Sequence, residues 1–495
     1  MPQNNPPSSN TRRIAIDPIS RVEGHGKITL LMDTDNHIQE ARLHIVEFRG
    51  FEKFIQGRPY WEVPVIVQRL CGICPVSHQL AAAKAVDQLV GIEQLTPTAN
   101  KLRRLLHFGQ ILQSHALHFF HLSSPDLLFG FGSDPVQRNI FGLLNNYPNI
   151  ALKGVKLRKY GQKIIEAITG KRIHGIATIA GGMNKPLSLS ERDTLLADIE
   201  NILTWCQDAV TLNQQIHTEH PEHYDFATLH SNYLSMIGHD GELEFYHGGL
   251  RARTATGTNI FDQVNYCDYQ QILREEVRPW SYMKFPYIHE LGMDKGWYRV
   301  GPLARINNCN IISTSLAEAA RKRFKEFGQG GFVHNTLAYH WARMIEALHC
   351  AESIHELLHD PEITGTELMT EKGGKQQEGI GVIEAPRGTL FHHYQINEEG
   401  LITKANLIVS TTNNNQAMNE SVRSVANTYI DGQIITEGLL NHLEVAVRAY
   451  DPCLSCATHA LGKMPLQVEL RNAEGVLVDQ LTKGVNGNIR RSSDS

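Results

Sequence analysis

Two short cysteine motifs near opposite ends of the chain decide how it must fold. The first lies in Gln68-Arg-Leu-Cys-Gly-Ile-Cys-Pro-Val-Ser-His78, and the second lies in Asp451-Pro-Cys-Leu-Ser-Cys-Ala-Thr-His459. A C-x-x-C turn can present two thiolates to one ion, so two such turns predict a four-sulfur site. The first cysteines of the two motifs are 382 positions apart, and the site therefore requires a fold that brings the two ends together.

The spacing of the motifs alone leaves three kinds of site open. A structural zinc site is one, although such sites commonly have only ~15–20 residues between their cysteine pairs. A pair of dithiol redox motifs is another, although no thioredoxin-like βαβ pattern surrounds either motif. The third is a catalytic centre for a soft metal, and four thiolates suit nickel, iron or zinc equally.

Composition places the 495-residue chain among soluble globular proteins, with 41% hydrophobic and 20% charged residues. The net charge of −5 gives no reason to expect nucleic acid or an anionic membrane as a partner. No apolar run approaches the ~18 residues of a membrane span, and the polar N-terminus lacks the apolar core of a secretory signal. We therefore expect a cytoplasmic protein without a direct membrane span, whose residues 1–12 form a disordered tail.

Hydrophobic periodicity predicts an α+β, predominantly α-helical fold, built as a single large helical unit with small peripheral β-sheets. Residues 77–90 are alanine-rich and apolar at helical spacing, with Ser77 as the candidate N-cap. The polar stretch at 411–419 is predicted to be a loop. The other predicted helices are Asn100–Leu122, Leu187–His217, Leu316–Phe327, Asn335–Leu358 and Asp431–Tyr450, and the predicted strands are Arg13–Ile19, Gly26–Met32, Ile38–Phe48, Ala385–Phe391, Gly400–Val409, Leu466–Leu470 and Val476–Leu481.

The sequence lacks the motifs of several cofactor-binding classes. No G-x-G-x-x-G motif follows a strand, and Gly170-Lys171 lacks the remaining residues of a phosphate loop. The other four cysteines stand alone and do not form the cluster of an iron–sulfur protein. We therefore expect no FMN, NAD or iron–sulfur cluster in this chain.

Two further motifs, Arg21-Val-Glu-Gly-His25 and Glu384-Ala-Pro-Arg-Gly388, complete a pattern that resembles the large subunit of [NiFe]-hydrogenases over residues 13–459. The stretch at 48–78 resembles the cytoplasmic group, especially the bidirectional NAD-reducing (Hox-type) enzymes. The resemblance implies a NiFe(CO)(CN)2 centre and reversible heterolytic cleavage of H2. By position in the motifs, Cys71 and Cys453 are expected to be terminal nickel ligands, and Cys74 and Cys456 are expected to bridge nickel and iron.

The same resemblance assigns roles around the metals. The Cys453 thiolate is expected to accept the proton from H2, and Glu23 to relay it; without the motif, Glu23 would be an ordinary surface residue at a strand end. Arg387 is expected to lie near the iron cyanides, where its fixed charge and donors stabilise anionic ligands. Pro386 is expected to line that cavity, and Ile73 matches a position at the mouth of the gas channel.

The remaining assigned residues support this centre or a second metal. Asp126 and Asp451 are expected to hold Arg387, although alone they would read as a helix cap and an Asp-Pro turn residue. His78 is expected to hydrogen-bond towards the sulfur of Cys74, with a capping or core role as the alternative. Glu52 and His459 match a family site for a hard divalent ion, usually magnesium.

Partners and processing also follow from the resemblance. Electrons would leave through a small subunit with an iron–sulfur cluster, and a diaphorase module with FMN, further clusters and an NAD site would receive them. A maturation endopeptidase and nickel-insertion chaperones are expected, with cleavage after His459 that removes Ala460–Ser495. The alternative for that segment is an ordinary terminal β-hairpin.

Three other functions stay open at this point. A hydrogenase of another cytoplasmic subgroup would use a different acceptor, such as NADP or a deazaflavin. A quinone-reductase subunit related to hydrogenases would generally lack the cysteine pairs, and all four cysteines are present here. A non-catalytic H2 sensor or a zinc-stabilised scaffold would generally lack the processed extension.

Overall fold

The computed structural model describes residues 12–458, 466–471, 477–483 and 489–491. For the last three segments the description covers the backbone strands. The predicted tail at 1–12 lies outside these residues except for Arg12, which begins the first strand. His459 also lies outside them.

The strands form several small sheets rather than one large one. Their bounds are β1 Arg12–Ile16, β2 Gly26–Met32, β3 Ile38–Ile45, β4 Thr178–Ile179, β5 Gly182–Met183, β6 Asn232–Ile237, β7 Gly249–Arg253, β8 Asn259–Val264, β9 Leu273–Glu276, β10 Phe285–Ile288, β11 Tyr298–Arg299, β12 Glu378–Ala385, β13 Gly388–Ile396, β14 Ile402–Ile408, β15 Leu466–Arg471, β16 Leu477–Lys483 and β17 Ile489–Arg491. The sheets have the orders β1-β2-β3, β4-β5, β11-β6-β7-β8, β10-β9, β12-β13-β14 and β15-β16-β17. Neighbouring strands are antiparallel except for the β6–β11 pair.

Helices supply most of the regular structure. Their bounds are α1 Phe51–Phe54, α2 Val63–Ile66, α3 Pro75–Leu89, α4 Pro97–Leu117, α5 Ser124–Phe129, α6 Ile140–Asn146, α7 Pro148–Thr169, α8 Leu189–Leu196, α9 Ile199–Glu219, α10 Tyr269–Ile272, α11 Gly292–Lys295, α12 Pro302–Asn308, α13 Ser315–Phe327, α14 Ala338–His359, α15 Ser410–Asn413, α16 Asn415–Val425 and α17 Glu437–Arg448. A π-helical turn, His118–Ser123, connects α4 to α5. Within the described segments, no helix combines the length and the hydropathy that crossing a membrane requires.

The core confirms the predicted fold class, with helices at the centre and small sheets around them. Helix α14 is buried along nearly its whole length, and α4 and α9 pack against it. A helix that is buried on all sides in this way is typical of the centre of a large helical unit.

Several details of the prediction were wrong. The predicted strand Ala385–Phe391 spans the turn at Pro386-Arg387 between two strands, β12 and β13. Helix α3 begins at Pro75, with Cys74 as its N-cap, so Ser77 lies inside the helix rather than capping it. Proline is favoured in the first turn because its missing N–H needs no partner there. The polar stretch 411–419, predicted as a loop, is helical and buried within α15 and α16.

The segment between β1 and β2 lies against the second cysteine motif. Glu23 and Cys453 pair through a parallel bridge, and the Leu454 N–H donates to the Glu23 carbonyl at 2.9 Å. Gly24, with φ of +83°, allows this approach, because a Cβ at that position would lie 2.6 Å from the Ser455 nitrogen.

Candidate metal centre

The four cysteines of the two motifs meet at one buried point. Their donor sulfurs lie within 4.8 Å of one another, and each residue is at most 6% exposed. The Cys71 and Cys453 sulfurs are 3.4 Å apart, and those of Cys74 and Cys456 are 3.9 Å apart. The predicted four-sulfur site is thus present in the structure, although its two halves come from opposite ends of the chain.

The first motif is held at the N-terminus of α3. The backbone N–H groups of Ile73 and Cys74 donate to the Cys71 sulfur at 3.2 and 3.1 Å. Such bonds favour the thiolate form of a ligand sulfur. The Nε2 of His174 lies 2.9 Å from the Cys71 carbonyl oxygen, and its Nδ1 contacts the guanidinium of the exposed Arg69.

The second motif follows α17 through a sharp turn. Asp451 adopts a left-handed conformation, with φ of 54°. The Cys453 N–H then donates to the Thr411 hydroxyl at 2.9 Å, and a short 3₁₀ turn, Ser455–Ala457, places Cys456. The buried segment wrongly predicted as a loop therefore positions one of the sulfurs.

The pKa values of Cys74, Cys453 and Cys456 shift in different directions because these buried sulfurs lie within hydrogen-bond reach of one another. Hydrogen bonds from the Cys453 thiol, and then from Cys456 and Cys71, lower the pKa of Cys74 well below its ordinary value. Burial raises the pKa of the Cys453 and Cys456 thiols. A cation bound among the four sulfurs would favour the thiolate form of each, since metals bind cysteine as the thiolate.

A narrow cavity of about 10 Å³ lies beside the sulfurs of Cys74, Cys453 and Cys456. Its walls are largely apolar and include Ala385, Pro386, Leu390 and Val409, and the Arg387 guanidinium also lines it. The Nη1 of Arg387 is buried and has no hydrogen-bond partner in the described part of the chain. A buried cationic donor without a partner calls for an anionic or strongly accepting group, and sulfur ligands alone would leave it unsatisfied.

This arrangement fits a nickel–iron centre better than a closed zinc site. The four soft donors suit both metals, but a structural zinc ion with four thiolates has no further ligand. The partnerless Arg387 Nη1 on the adjoining cavity wall fits iron-bound cyanide, which accepts hydrogen bonds and carries negative charge.

Arg387 and Asp451 lie together, whereas Asp126 takes a different place from the one expected. The Nε and Nη2 of Arg387 donate to the Asp451 carbonyl and carboxylate at 2.6 and 2.9 Å. Burial raises the pKa of Asp451 to about 6, against the opposing effect of Arg387. The expectation that Asp126 also holds Arg387 needs correction, because its carboxylate accepts hydrogen bonds from Arg448 and Arg21 instead.

Asp126 is nevertheless held in place by ion pairs with Arg448 and Arg21. It lies in the first turn of the short helix α5, where α17 brings Arg448 against it. Burial would raise the pKa of Asp126, but the two cations outweigh it and lower that pKa. Asp126 therefore contacts Arg448, which precedes Cys453 by five residues, rather than the arginine of the cavity.

Glu23 lies between the metal site and the outside. Its Oε2 is 2.9 Å from the Cys453 sulfur and accepts from the Ser455 N–H at 3.2 Å. The Ser455 hydroxyl in turn donates to Oε2 of the half-buried Glu47 at 2.7 Å. Sequence reasoning found Glu23 and missed Ser455 and Glu47, although Ser455 stands between the two cysteines of the second motif.

Histidines near the site are held by partners of their own. The Nδ1 of His78 lies 3.1 Å from Nε2 of His392, whose other nitrogen contacts the Tyr394 hydroxyl. A hydrogen bond from His78 also contributes to lowering the pKa of Cys74, after the thiols themselves. The Nε2 of His115, on α4, lies 2.9 Å from the Glu346 carboxylate.

Sequence reasoning also missed a buried ionic network behind Arg387. Arg305 donates two bonds of 2.6 Å to Glu346 and one of 2.7 Å to Glu384. Arg305 also donates to the Pro386 carbonyl at 3.2 Å. Glu384 belongs to the motif that carries Arg387, and this is the signal that could have pointed to the network.

Glu52 is a buried residue in the first turn of α1. It is 6% exposed, and its carboxylate accepts from the Leu407 N–H at 2.8 Å, with Lys284 at 3.8 Å. Burial raises the pKa of Glu52 to about 7. A carboxylate held in this way gains from a nearby cation, but His459, its expected partner, lies outside the described residues.

The chain matches known proteins along most of its length. The family described as "Nickel-dependent hydrogenase" matches residues 49–128 and 235–459, and one described as "HoxL-like" matches residues 13–48. The beta subunit of NAD-reducing hydrogenase HoxS from Cupriavidus necator is 47% identical over 95% of this chain and 99% of its own length. One subunit of the F420-non-reducing hydrogenase from Methanothermobacter thermautotrophicus is 39% identical, over 95% of this chain and 100% of its own.

Solved structures agree with these sequence matches. The crystal structure of an NAD+-reducing [NiFe]-hydrogenase in the H2-reduced state superposes with a TM-score of 0.89 at 57% identity, covering 91% of this chain and 100% of that one. A Ni-Fe-Se hydrogenase from D. vulgaris Hildenborough shares the fold at a TM-score of 0.73 and 21% identity, with the same coverage of both chains.

Proposed function

We propose, from the premise that this chain belongs to the nickel-dependent hydrogenases as a large subunit of the NAD-reducing type, that it cleaves H2 at the four-cysteine site and passes the electrons to partner subunits. The family and the class of enzyme follow from the matches above. The roles of individual residues and the path of the electrons are the parts proposed here.

The four cysteines would hold the NiFe(CO)(CN)2 centre, with Cys71 and Cys453 as terminal nickel ligands and Cys74 and Cys456 as the bridges to iron. When bound, this centre supplies a soft-metal site for the heterolytic cleavage of H2. Arg387 would donate from Nη1 to a cyanide, and Asp451 would keep the guanidinium in place. Pro386 and the apolar cavity wall would exclude water from the space that H2 enters.

The proton would leave through residues of this chain. Cys453 holds it at the sulfur, and Glu23 takes it at Oε2, since 2.9 Å is within hydrogen-bond reach. Glu23 meets Ser455 only at its backbone N–H, so a water would carry the proton from Glu23 to the Ser455 hydroxyl, which donates to the Glu47 carboxylate at 2.7 Å. Glu47 is only half-buried, so the route ends where water can accept the proton.

A magnesium ion would occupy the second metal site, with Glu52 and His459 as protein ligands. The buried Glu52 carboxylate supplies the oxygen donor that Mg²⁺ prefers, and the ion would complete its shell with waters. Such an ion would compensate the charge of a carboxylate whose only nearby cation is Lys284 at 3.8 Å among the described residues.

Electrons would leave to a small subunit with an iron–sulfur cluster, and from there to a diaphorase that reduces NAD+ with FMN and further clusters. The similarity to a NAD-reducing hydrogenase supports this assembly. A nickel-insertion chaperone and a maturation endopeptidase would complete the centre. The enzyme would work in the cytoplasm, where NAD is available to it.

The observation that carries the proposal is the convergence of four buried sulfurs beside Arg387, whose buried Nη1 has no hydrogen-bond partner among the described residues. Elemental analysis of the assembled enzyme should return nickel and iron, and infrared spectra should show metal-bound CO and cyanide. The Cys453→Ser variant should lose H2 cleavage. Material that is correctly assembled but contains zinc alone would overturn the proposal.

A further inference from the structure

A second group of metal-binding side chains lies outside the centre described above. His220, Glu222 and His223 belong to the sequence His-Pro-Glu-His at the C-terminal end of α9. One donor atom from each of the three lies within 4.8 Å of the other two. The group is open to solvent, since the side chains of His220 and Glu222 are 43% and 61% exposed.

The backbone of this turn is fixed from behind. The side-chain amide of the buried Asn335 donates to the carbonyls of His223 and Tyr224 at 2.9 and 2.6 Å. The short 3₁₀ turn Pro221–His223, with His220 as its N-cap, holds the three donor residues close together. A ligand set on a fixed turn loses little freedom when it binds an ion.

The side chains are also pre-arranged. The ring of His223 stacks on Phe131, with centroids 4.5 Å apart, and the rings of His220 and His223 stack at 5.4 Å. The Nδ1 of His220 lies 2.9 Å from the Glu222 carboxylate. Within the described residues, neither ring nitrogen of His223 has a hydrogen-bond partner, so this imidazole is free to act as a ligand.

We propose that His220, Glu222 and His223 form a surface site for a divalent transition ion of the zinc class. Two imidazoles and one carboxylate suit Zn²⁺, Co²⁺ or Ni²⁺, whereas Mg²⁺ and Ca²⁺ prefer oxygen donors alone. With bonds of about 2.0–2.1 Å, donors around one ion lie roughly 3.3 Å from each other, so side-chain shifts of about 1 Å close the site. Water would fill the remaining positions.

The protonation states of the three groups agree with this role. The hydrogen bond from His220 lowers the pKa of Glu222, and burial lowers the pKa of His223. At neutral pH the group therefore offers an ionised carboxylate and a neutral imidazole, which are the forms that bind metals. The proposal does not depend on the nickel–iron chemistry.

Binding can be measured on the mature, assembled enzyme after surface metals are removed with EDTA. Titration with Zn²⁺ against a chromophoric chelator should show one additional equivalent per large subunit. The same titration with Co²⁺ should give visible d–d bands without thiolate-to-cobalt charge transfer, because no cysteine takes part. The bound ion should also raise the melting temperature.

Three variants test the ligand set. Zn²⁺ affinity should fall at least about tenfold in His223→Ala, His220→Ala and Glu222→Gln, since each removes one of three donors. His239→Ala is the matched control, because its side chain is 98% exposed beside Asp240 but has no third ligand among the described residues. Unchanged H2 cleavage shows that each variant is folded. Wild-type affinity in all three variants, or thiolate bands with Co²⁺, would overturn the proposal.

Discussion

Glu23 is a single side chain whose position couples a sulfur ligand to the protein exterior. It reaches Cys453 because the backbone on either side of it is paired with the second cysteine motif. The neighbouring Gly24 has no side chain to keep the two segments apart. The role of Glu23 thus depends on backbone pairing as much as on its carboxylate.

The Glu23→Gln variant should keep its nickel, iron and infrared bands but lose proton transfer. The amide cannot take a proton, and general acid–base groups contribute about 10²–10⁴-fold to rate, so H2 uptake and H/D exchange should fall at least about 100-fold. Glu40→Gln is the control, because Glu40 is a surface residue paired with Arg42. Exchange at the wild-type rate in a metal-replete Glu23→Gln enzyme would remove Glu23 from the mechanism.

His44 should make the protein sensitive to acid. Its ring lies 2.7 Å from the Thr29 hydroxyl and 2.9 Å from the Trp280 carbonyl, and burial lowers its pKa from 6.5 to about 4. Because the folded pKa lies below the unfolded one, the stability that this group contributes is complete above pH 6.5 and is lost as pH falls through 4. The total is on the order of 3 kcal/mol.

Melting temperatures measured between about pH 4 and 7 check this prediction. The loss of stability on acidification should be smaller in His44→Gln than in the wild type, whereas the exposed His239→Gln should follow the wild type. Parallel curves for wild type and His44→Gln would contradict the assignment to His44.

At the scale of elements, strand β12 and helix α3 bring Arg387 and Cys74 to the same cavity. They pack so closely that a Cβ on Gly381 would lie 2.0 Å from the Ala81 carbonyl oxygen. A Cβ on Gly379 would likewise lie 2.2 Å from the Ala85 carbonyl. The alternating glycines of β12 therefore allow close packing of this strand against the alanines of α3.

The Gly381→Ala variant should push α3 away from β12 and disturb the metal centre between them. The new methyl group meets backbone, which cannot rotate aside, and overpacking of this kind costs about 1–3 kcal/mol. We expect a lower melting temperature and a lower nickel content. Gly374→Ala is the matched control, since a Cβ there would meet nothing within 4 Å. Equal nickel content in both variants would show that this contact does not set the site.

The sequence predicted elements best where periodicity was strong. Strand β2, helix α13 and most of α14 were found with boundaries within about three residues. The polar stretch 411–419 is not the predicted loop, because its polar side chains make buried hydrogen bonds instead of facing solvent. Its amides bond inward instead: Asn413 accepts from the Tyr298 hydroxyl at 2.7 Å, and Asn414 accepts from the Val300 N–H at 2.9 Å.

Such partners come from distant parts of the chain, so local patterns cannot reveal them. The same reason explains the candidate site. The cysteines, Glu23 and Arg387 stand in motifs and could be predicted, whereas Glu47 and Arg305 owe their places to contacts that form only in the folded protein. The pairing of Asp126 with Arg448 was missed for this reason as well.

At the scale of the whole molecule, the metal site joins the two ends of the described fold. Its sulfurs are separated by 382 positions, and the helical core lies between them in sequence. Contacts between such distant residues form late, because the intervening chain must first be ordered. The site can therefore close only when most of the protein has folded, which suits insertion of a metal centre by helper proteins.

The segment 451–458, which carries two of the four cysteines, can control when the metal site closes. Residues 451–458 are buried, and the Thr458 carbonyl accepts from the N–H groups of Arg49 and Gly50 at 3.3 and 3.4 Å. Once docked, this segment fixes Cys453 and Cys456. The four sulfurs already lie together in the chain that carries the extension. We therefore propose that Ala460–Ser495 lets this docked segment reopen until nickel arrives, and that cleavage after His459 ends this opening, since metal binding is coupled to local folding.

Intact-mass analysis of the large subunit checks this expectation. Enzyme that is active and contains nickel should carry a chain ending at His459, whereas protein made without nickel should keep residues 460–495. A gene truncated after His459 should give a chain that closes too early, with nickel content reduced at least about tenfold, because the sulfurs pack together before the metal can enter. Full H2 cleavage by a chain that still carries the extension would show that removal is not needed for the site to close.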